Sequence, residues 1–307
     1  MADSLTIAAA FVLGFALSRA STCTVAATMR LVTLRRVDWL LGIAVAVSWS
    51  AVAIYALRLA FPESTAAPDA FGINTTLIVA SVVMGAGAWL NGGCFVGSVG
   101  HISSGNVSYV ATFAGLAAAR LFENTDRLMG LAPMQTAARL TPESGGQYWA
   151  LLGLFALLLV WSMWRIFKRR QQAMIALSAM GVAAAVVYSL QPDWSYEALI
   201  GRMVHGQDVR DNLVILLAVI GLFSGATLSA MLNNRFQLRH SGWRSTTLSF
   251  AGGLLMGIGA QFVPGGNDTL LLWVIPGFAL HGLASYLIMV GTVAILIMLA
   301  RARGATA

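Results

Sequence analysis

Residues 84–106 read MGAGAWLNGGCFVGSVGHISSGN, an apolar stretch that Gly92, Gly93 and Cys94 interrupt near its middle. A transmembrane helix needs about 20 consecutive apolar residues, and glycine within a helix destabilises it. Lipid cannot satisfy the backbone groups that a break leaves unpaired, so a break persists only where protein or a water-filled cavity surrounds it. The stretch therefore predicts an interrupted helix inside a polytopic membrane protein.

The composition extends this interpretation to the whole chain. Of the 307 residues, 58% are hydrophobic and only 10% are charged, and the mean hydropathy is +0.77. Soluble domains carry about 25% charged residues, so a water-soluble fold is excluded. We predict an all-α polytopic membrane protein of about nine transmembrane helices, with re-entrant half-helices and a pseudo-symmetric inverted repeat. An acid precedes the first apolar run, which indicates a retained helix rather than a cleaved signal peptide.

Hydropathy predicts nine spans, at about 4–20, 38–61, 75–90, 107–121, 147–167, 172–190, 212–232, 245–262 and 276–300. Basic clusters follow the first, fifth, seventh and ninth of them: Arg30, Arg35, Arg36, Lys168, Arg169, Arg170, Arg235, Arg239, Arg244, Arg301 and Arg303. Basic loops stay in the cytoplasm, which predicts an outer N-terminus and a cytoplasmic C-terminus. The net charge of +7 has two explanations, this topological rule and an attraction for anions, and both remain open.

A weak internal repeat divides one predicted membrane domain, 1–307, into halves 1–121 and 172–300 joined by 122–171. GFALSRASTC at 14–23 aligns with GATLSAMLNN at 225–234, and MGAGAWLNGGC at 84–94 with MGIGAQFVPGGN at 256–267. The first alignment pairs Cys23 with Asn234, and the second pairs Cys94 with Asn267. Inverted repeats with interrupted segments are typical of transporters. The span count inverts the second pair but not the first, so either one segment is half-length or the symmetry is imperfect.

The diglycine breaks predict a site for an anion. A helix that starts inside the bilayer presents free N–H groups and a partial positive charge. Close helix packing is the alternative role for these glycines. Cys23 and Cys94 are expected to be free thiols, either ordinary core residues or weak S–H donors to a soft anion. The candidate path residues are Cys23, Cys94, Asn267, Gly92, Gly93, Gly265, Gly266, Asn234, Arg19 and Asp268.

Each charged or titratable candidate also has a structural alternative. Arg19, one helical turn before Cys23, is either a functional intramembrane charge or a side chain that reaches the interface. Asp268 either caps a helix or holds a coupling cation or proton. His101 and His281 are either proton relays or core residues. Since the sequence holds no zinc-type Cys/His spacing, phosphate loop or catalytic set, we expect no metal, no cofactor, no nucleic acid and no enzyme.

GFALSRASTCTVAA at 14–27, LNGGCFVGS at 90–98 and PGGNDTLLL at 264–272 resemble motifs of the YeeE/YedE family of bacterial inner-membrane proteins. The resemblance implies an hourglass fold that takes up thiosulfate or related sulfur compounds, passed between cysteine thiols by S–H···S contacts. Cys23 and Cys94 match two family cysteines, whereas Asn267 stands where a third is expected.

The leading hypothesis is therefore a permease for thiosulfate or a related small sulfur anion. The alternative is a membrane sensor or accessory protein that binds a sulfur compound and passes it, or a signal, to a cytoplasmic partner of the sulfurtransferase type. Membrane lipid is the other expected partner.

Overall fold

The computed structural model describes residues 2–21, 23–122, 135–141, 145–169, 172–207, 213–263 and 266–303. The first half contains α1 (Ala2–Ala20), α2 (Thr24–Leu34), α3 (Asp38–Ala60), α4 (Thr75–Asn91), α5 (Phe95–Ser103) and α6 (Val110–Arg120). The remainder contains α7 (Gly146–Arg169), α8 (Gln172–Leu190), α9 (Tyr196–Val204), α10 (Leu213–Leu232), α11 (Trp243–Phe262), α12 (Asn267–Val274, whose last five residues form a π-helix) and α13 (Leu280–Ala302).

The described helices confirm an all-α polytopic membrane protein. Seven segments are long and apolar enough to cross a bilayer, and α11 with α12 forms an eighth that bends by 55°. Two of the seven, Ala2–Leu34 and Thr75–Ser103, are each interrupted, between α1 and α2 and between α4 and α5. The predicted span at 107–121 is not among these segments, because it consists of a 3-10 turn followed by the 11 residues of α6. Such a helix covers about half of the hydrocarbon core.

The order of long and short helices is the same in α1–α5 and in α8–α12. The packing follows the same order: α1 packs on α10 as α3 packs on α8, and α4 packs on α13 as α6 packs on α11. This pairing matches α2 with α9 and α5 with α12. The position equivalent to Cys23 is therefore the turn before α9 and not Asn234. The limits of the two predicted halves stay a prediction.

Glycines bring the paired helices close together. A Cβ at Gly14 would overlap the backbone carbonyl of Leu222, and a Cβ at Gly225 would overlap that of Phe11. Small residues at such crossings are the usual means of close packing in membranes. Gly14 and Gly225 therefore serve close packing of α1 against α10.

One face of the molecule is rich in arginine. It contains the C-terminal ends of α1 and α10 and the N-terminal end of α8, because Arg19 hydrogen-bonds to both Gln172 and Asn233, and Arg235 hydrogen-bonds to Ser21. The N-terminal end of α3 and the C-terminal end of α7 lie beside them, because Asp38 and Arg165 share a cavity wall with Gln172. We call it the arginine-rich face. The C-terminal ends of α3 and α8 lie on the opposite face.

Candidate functional site

Cys23 and Cys94 occupy equivalent places in their segments, each immediately before the first residue of a short helix. Cys23 precedes α2 and Cys94 precedes α5, both with extended backbone. Both thiols are free, and their sulfur atoms lie 3.9 Å apart. Two residues 71 positions apart thus meet at two helix N-termini.

Asn267 joins these two helices to a third. Its side-chain oxygen accepts a hydrogen bond from the backbone N–H of Phe95 at 3.1 Å, and its amide nitrogen donates to the hydroxyl of Thr24 at 3.4 Å. Asn267 opens α12 and is only 1% exposed. One amide therefore connects the first residues of α2, α5 and α12. We call Cys23, Cys94, Asn267, Thr24 and Phe95 the thiol cluster.

The break before α5 is held by polar bonds rather than by lipid. Asn91, at the end of α4, donates to the backbone oxygen of Gly93 at 2.7 Å and to the hydroxyl of Ser98 at 2.8 Å. Its own side-chain oxygen accepts from Thr112 at 2.8 Å. Gly92 ends α4 in the left-handed conformation, with φ of 71°, which glycine adopts without steric cost. The bond to Gly93 satisfies a backbone oxygen that the bilayer would leave unpaired, and the other two hold the Asn91 side chain in place.

The break before α12 is tightly packed. Gly266 directly precedes the helix, and a Cβ there would lie 2.8 Å from the ring of Phe95. Asp268 follows Asn267 and is partly exposed. Gly265 lies outside the described residues. The convergence of three helix N-termini makes the cluster electropositive without a cationic side chain among its members.

Arg19 and Asn234 lie apart from the thiol cluster. Arg19 bonds to Asn233 and Gln172 at the arginine-rich face. Asn234 is exposed in a left-handed turn after α10, so the structure does not bring it to the buried Cys94. His101 stacks on Tyr109 with ring centroids 4.2 Å apart.

Two cavities flank the cluster. A cavity of about 480 Å³ includes Cys23 in its wall, together with Arg36, Asp38, Arg165 and Gln172. We call it the Cys23 cavity. It lies at the N-terminal ends of α3 and α8, on the arginine-rich face.

The second cavity, of about 300 Å³, is lined by Glu197, Arg120, Thr269, His281 and residues of the two turns that follow α3 and α8. We call it the Glu197 cavity. It lies on the opposite face from the Cys23 cavity. Thr269 stands two residues after Asn267 in the same helix. One cavity therefore reaches Cys23 of the thiol cluster, and the other reaches a residue close to Asn267.

Several of these residues escaped the sequence analysis. Asn91 and Phe95 stand inside quoted motifs, yet no local pattern indicates that an asparagine side chain will hold a backbone break. Arg120 and Glu197 were assigned to the end of a span and to a loop. Arg120 is a charge at the end of an apolar run, which singles it out, whereas no local signal singles out Glu197.

The comparison with known families agrees with this architecture. A family model described as sulphur transport matches residues 19–295. The match includes both cysteines, Asn267 and both cavities. No curated protein matches the chain. The chain belongs to the sulphur transport family, the YeeE/YedE family that its motifs resemble, and is a multi-pass membrane transporter of sulfur compounds.

Proposed function

We propose that the protein is a permease for thiosulfate or a related small sulfur anion, which passes through the thiol cluster between the two cavities. The observation that carries the proposal is the 3.9 Å approach of the Cys23 and Cys94 sulfurs, with a cavity on either side. A solute can cross lipid without a continuous open pore where two wide cavities are separated by a narrow waist lined with polar groups, here the thiol cluster.

The chemistry of the cluster suits such an anion. The terminal sulfur of thiosulfate is soft and accepts the weak S–H donors of Cys23 and Cys94. Its oxygens accept N–H donors, which the helix N-termini and the amide of Asn267 supply. Burying an unpaired charge is very costly, so each donor along the waist lowers the barrier. An amide in place of a third thiol keeps a donor at that position.

The distribution of arginine also predicts the orientation of the protein in the membrane. Arg36 and Arg165 line the Cys23 cavity, and basic loops stay in the cytoplasm. We therefore place the arginine-rich face in the cytoplasm of a bacterial inner membrane, with the N-terminus outside. The anion then enters from the Glu197 cavity and leaves beside Cys23, where a sulfurtransferase-type protein would receive it.

The direct test is uptake of ³⁵S-labelled thiosulfate in a strain that lacks its own uptake system. Cys94→Ala and Cys23→Ala are each expected to lower the rate by about tenfold to a hundredfold, because a hydrogen bond to a charged group contributes about 1.5–3 kcal/mol. Ala10→Ser, a change of similar size at a buried position on α1, is the control. Wild-type rates in both alanine variants, with insertion confirmed, would overturn the proposal.

Purified protein in liposomes separates a permease from the sensor alternative. A permease carries labelled thiosulfate into the vesicles until the two sides equilibrate. A sensor binds thiosulfate, as measured by calorimetry, and leaves the interior empty.

A further inference from the structure

The Glu197 cavity contains a buried ion pair that passage along the thiols does not require. The guanidinium of Arg120 donates a hydrogen bond to the carboxylate of Glu197, and the two side chains are only 18% and 7% exposed. Arg120 ends α6 in the first half, and Glu197 lies in the first turn of α9 in the second half. The pair therefore joins the two halves at the wall of the cavity.

Stability alone is a weak explanation for this pair. Burial removes both charges from water, and apolar side chains of the same volume often stabilise a protein as well or better. Moreover, both partners line a cavity and are not enclosed by apolar packing. A ligand that enters the cavity can compete for either charge.

His281 supplies a second, independent feature of the same cavity. The residue is 1% exposed, and its Nδ1 accepts a hydrogen bond from the backbone N–H of Phe71 at 3.2 Å. A nitrogen that accepts carries no proton, so in the neutral ring the proton resides on Nε2. Nε2 has no hydrogen-bond partner in the described part of the chain. A buried N–H donor left unpaired is costly, and an oxyanion is the ligand that would satisfy it.

The ion pair is also linked to the thiol cluster. The Glu197 carboxylate lies close to the backbone of Gly266, and Gly266 directly precedes Asn267. A change at Glu197 therefore acts next to Asn267, which bonds to the first residues of α2 and α5.

We infer that an oxyanion in the Glu197 cavity binds to Arg120 and to the Nε2–H of His281, and that Glu197, separated from Arg120, takes up one proton that crosses with the anion. The inference rests on the proposed function and adds the coupling ion. The step balances: the carboxylate and a proton from the entry side give the carboxylic acid. When the anion has moved on to the thiols and Arg120 bonds to Glu197 again, the proton passes from Glu197 to the nearby carboxylate of Asp268, beside Asn267. It is then released with the anion on the Cys23 side.

The surroundings of Glu197 favour this proton uptake. A carboxylate that loses its counter-charge in a low-dielectric interior becomes neutral, and the nearby carboxylate of Asp268 adds repulsion. Among the described residues, no other cation forms an ion pair with Glu197. Arg202 pairs with Asp193 at the rim at 3.6 Å. The other titratable groups near Glu197 or in the cavity wall are Asp69, Tyr188, Tyr196 and His281.

The test uses wild-type protein in liposomes that contain a pH-sensitive dye, with the membrane potential clamped by potassium and valinomycin. External thiosulfate is expected to acidify the interior as the labelled anion enters. Glu197→Gln, which keeps the size and removes the charge, is expected to admit the anion without acidification. Asp193→Asn, at the partly solvent-exposed pair on the same cavity, is the matched control and should acidify like the wild type.

A binding measurement tests the anion site separately. Arg120→Gln is expected to raise the thiosulfate dissociation constant at least tenfold, whereas Arg120→Lys, which keeps the charge, should raise it less. Anion entry without acidification in the wild type, or acidification retained in Glu197→Gln, would overturn the coupling and leave the permease standing. Absence of any flux in the wild type would overturn both.

Discussion

A Cβ atom on Gly97 would lie 2.6 Å from the sulfur of Cys23 and 3.8 Å from the sulfur of Cys94. Gly97 lies on α5, close to one turn after Cys94, so the helix that begins at one thiol leaves room for the other. The absence of a side chain at this position is therefore part of the geometry that brings the two sulfurs within 3.9 Å.

Gly97→Ala is expected to lower thiosulfate uptake by about tenfold while the protein still folds. The sulfur of Cys23 ends a short side chain and can rotate away from the new methyl group, which costs about 1 kcal/mol but separates the two thiols. Uptake of ³⁵S-labelled thiosulfate, normalised to inserted protein, measures the effect.

Gly100→Ala provides the control for that substitution. Gly100 lies on the same helix as Gly97, and a Cβ there would meet only a methyl carbon of Leu17, at 4.0 Å. Equal uptake in the Gly97→Ala and Gly100→Ala variants would contradict a role for the sulfur–sulfur contact.

Local sequence predicted the parts of the site that depend on local chemistry. The diglycine at 92–93 breaks a span as expected, because glycine favours the left-handed turn at Gly92. Cys94 directly follows the diglycine. The approach of Cys23 to Cys94 depends on how α1 and α5 pack, and no pattern within 71 residues of chain encodes that distance. The residues alone left the two thiols as either core residues or a pair of S–H donors, and the family resemblance favoured the pair.

The pairing of Cys23 with Asn234 shows where internal alignment fails. Gly and Ala recur in every membrane helix for packing, so GFALSRASTC and GATLSAMLNN match without sharing a place in the fold. Asn234 is exposed after α10, and the helix order instead pairs α2 with α9. The second alignment succeeded because a diglycine followed by a helix start is a rarer combination.

Asn267→Cys is expected to retain uptake within about tenfold of the wild type. The substitution replaces one hydrogen-bond donor with a weaker one and removes the acceptor for the N–H of Phe95, a loss of about 0.5–1.5 kcal/mol. Asn267→Leu, of similar volume and without a donor, should abolish uptake. Substrate specificity is measured with a panel of labelled sulfur anions. Equal loss in both variants would show that position 267 is not equivalent to a thiol.

Chemical labelling tests which side the thiols face. Cys23 is partly exposed in the wall of the Cys23 cavity, whereas Cys94 is 1% exposed. A membrane-impermeant maleimide is expected to label Cys23 in inside-out vesicles and to label neither thiol in right-side-out vesicles. Cys23→Ala should remove the signal. Labelling from the periplasmic side alone would reverse the proposed orientation.

Gly14→Ala is expected to lower stability without changing the transport step. A Cβ at Gly14 would overlap the backbone carbonyl of Leu222, and because backbone cannot move aside as a side-chain end can, α1 and α10 must separate. Overpacking of this kind costs about 1–3 kcal/mol.

Thermal unfolding in detergent, followed by intrinsic fluorescence, measures that cost. Gly291→Ala on α13, where a Cβ would meet nothing within 4 Å, is the matched control and should unfold at the wild-type temperature. Gly14→Ala protein that inserts should carry thiosulfate at a rate close to wild type per molecule, because Gly14 touches neither cavity nor the thiol cluster among the described contacts. A variant with wild-type stability and a lost transport rate would instead show that the α1–α10 contact moves during transport.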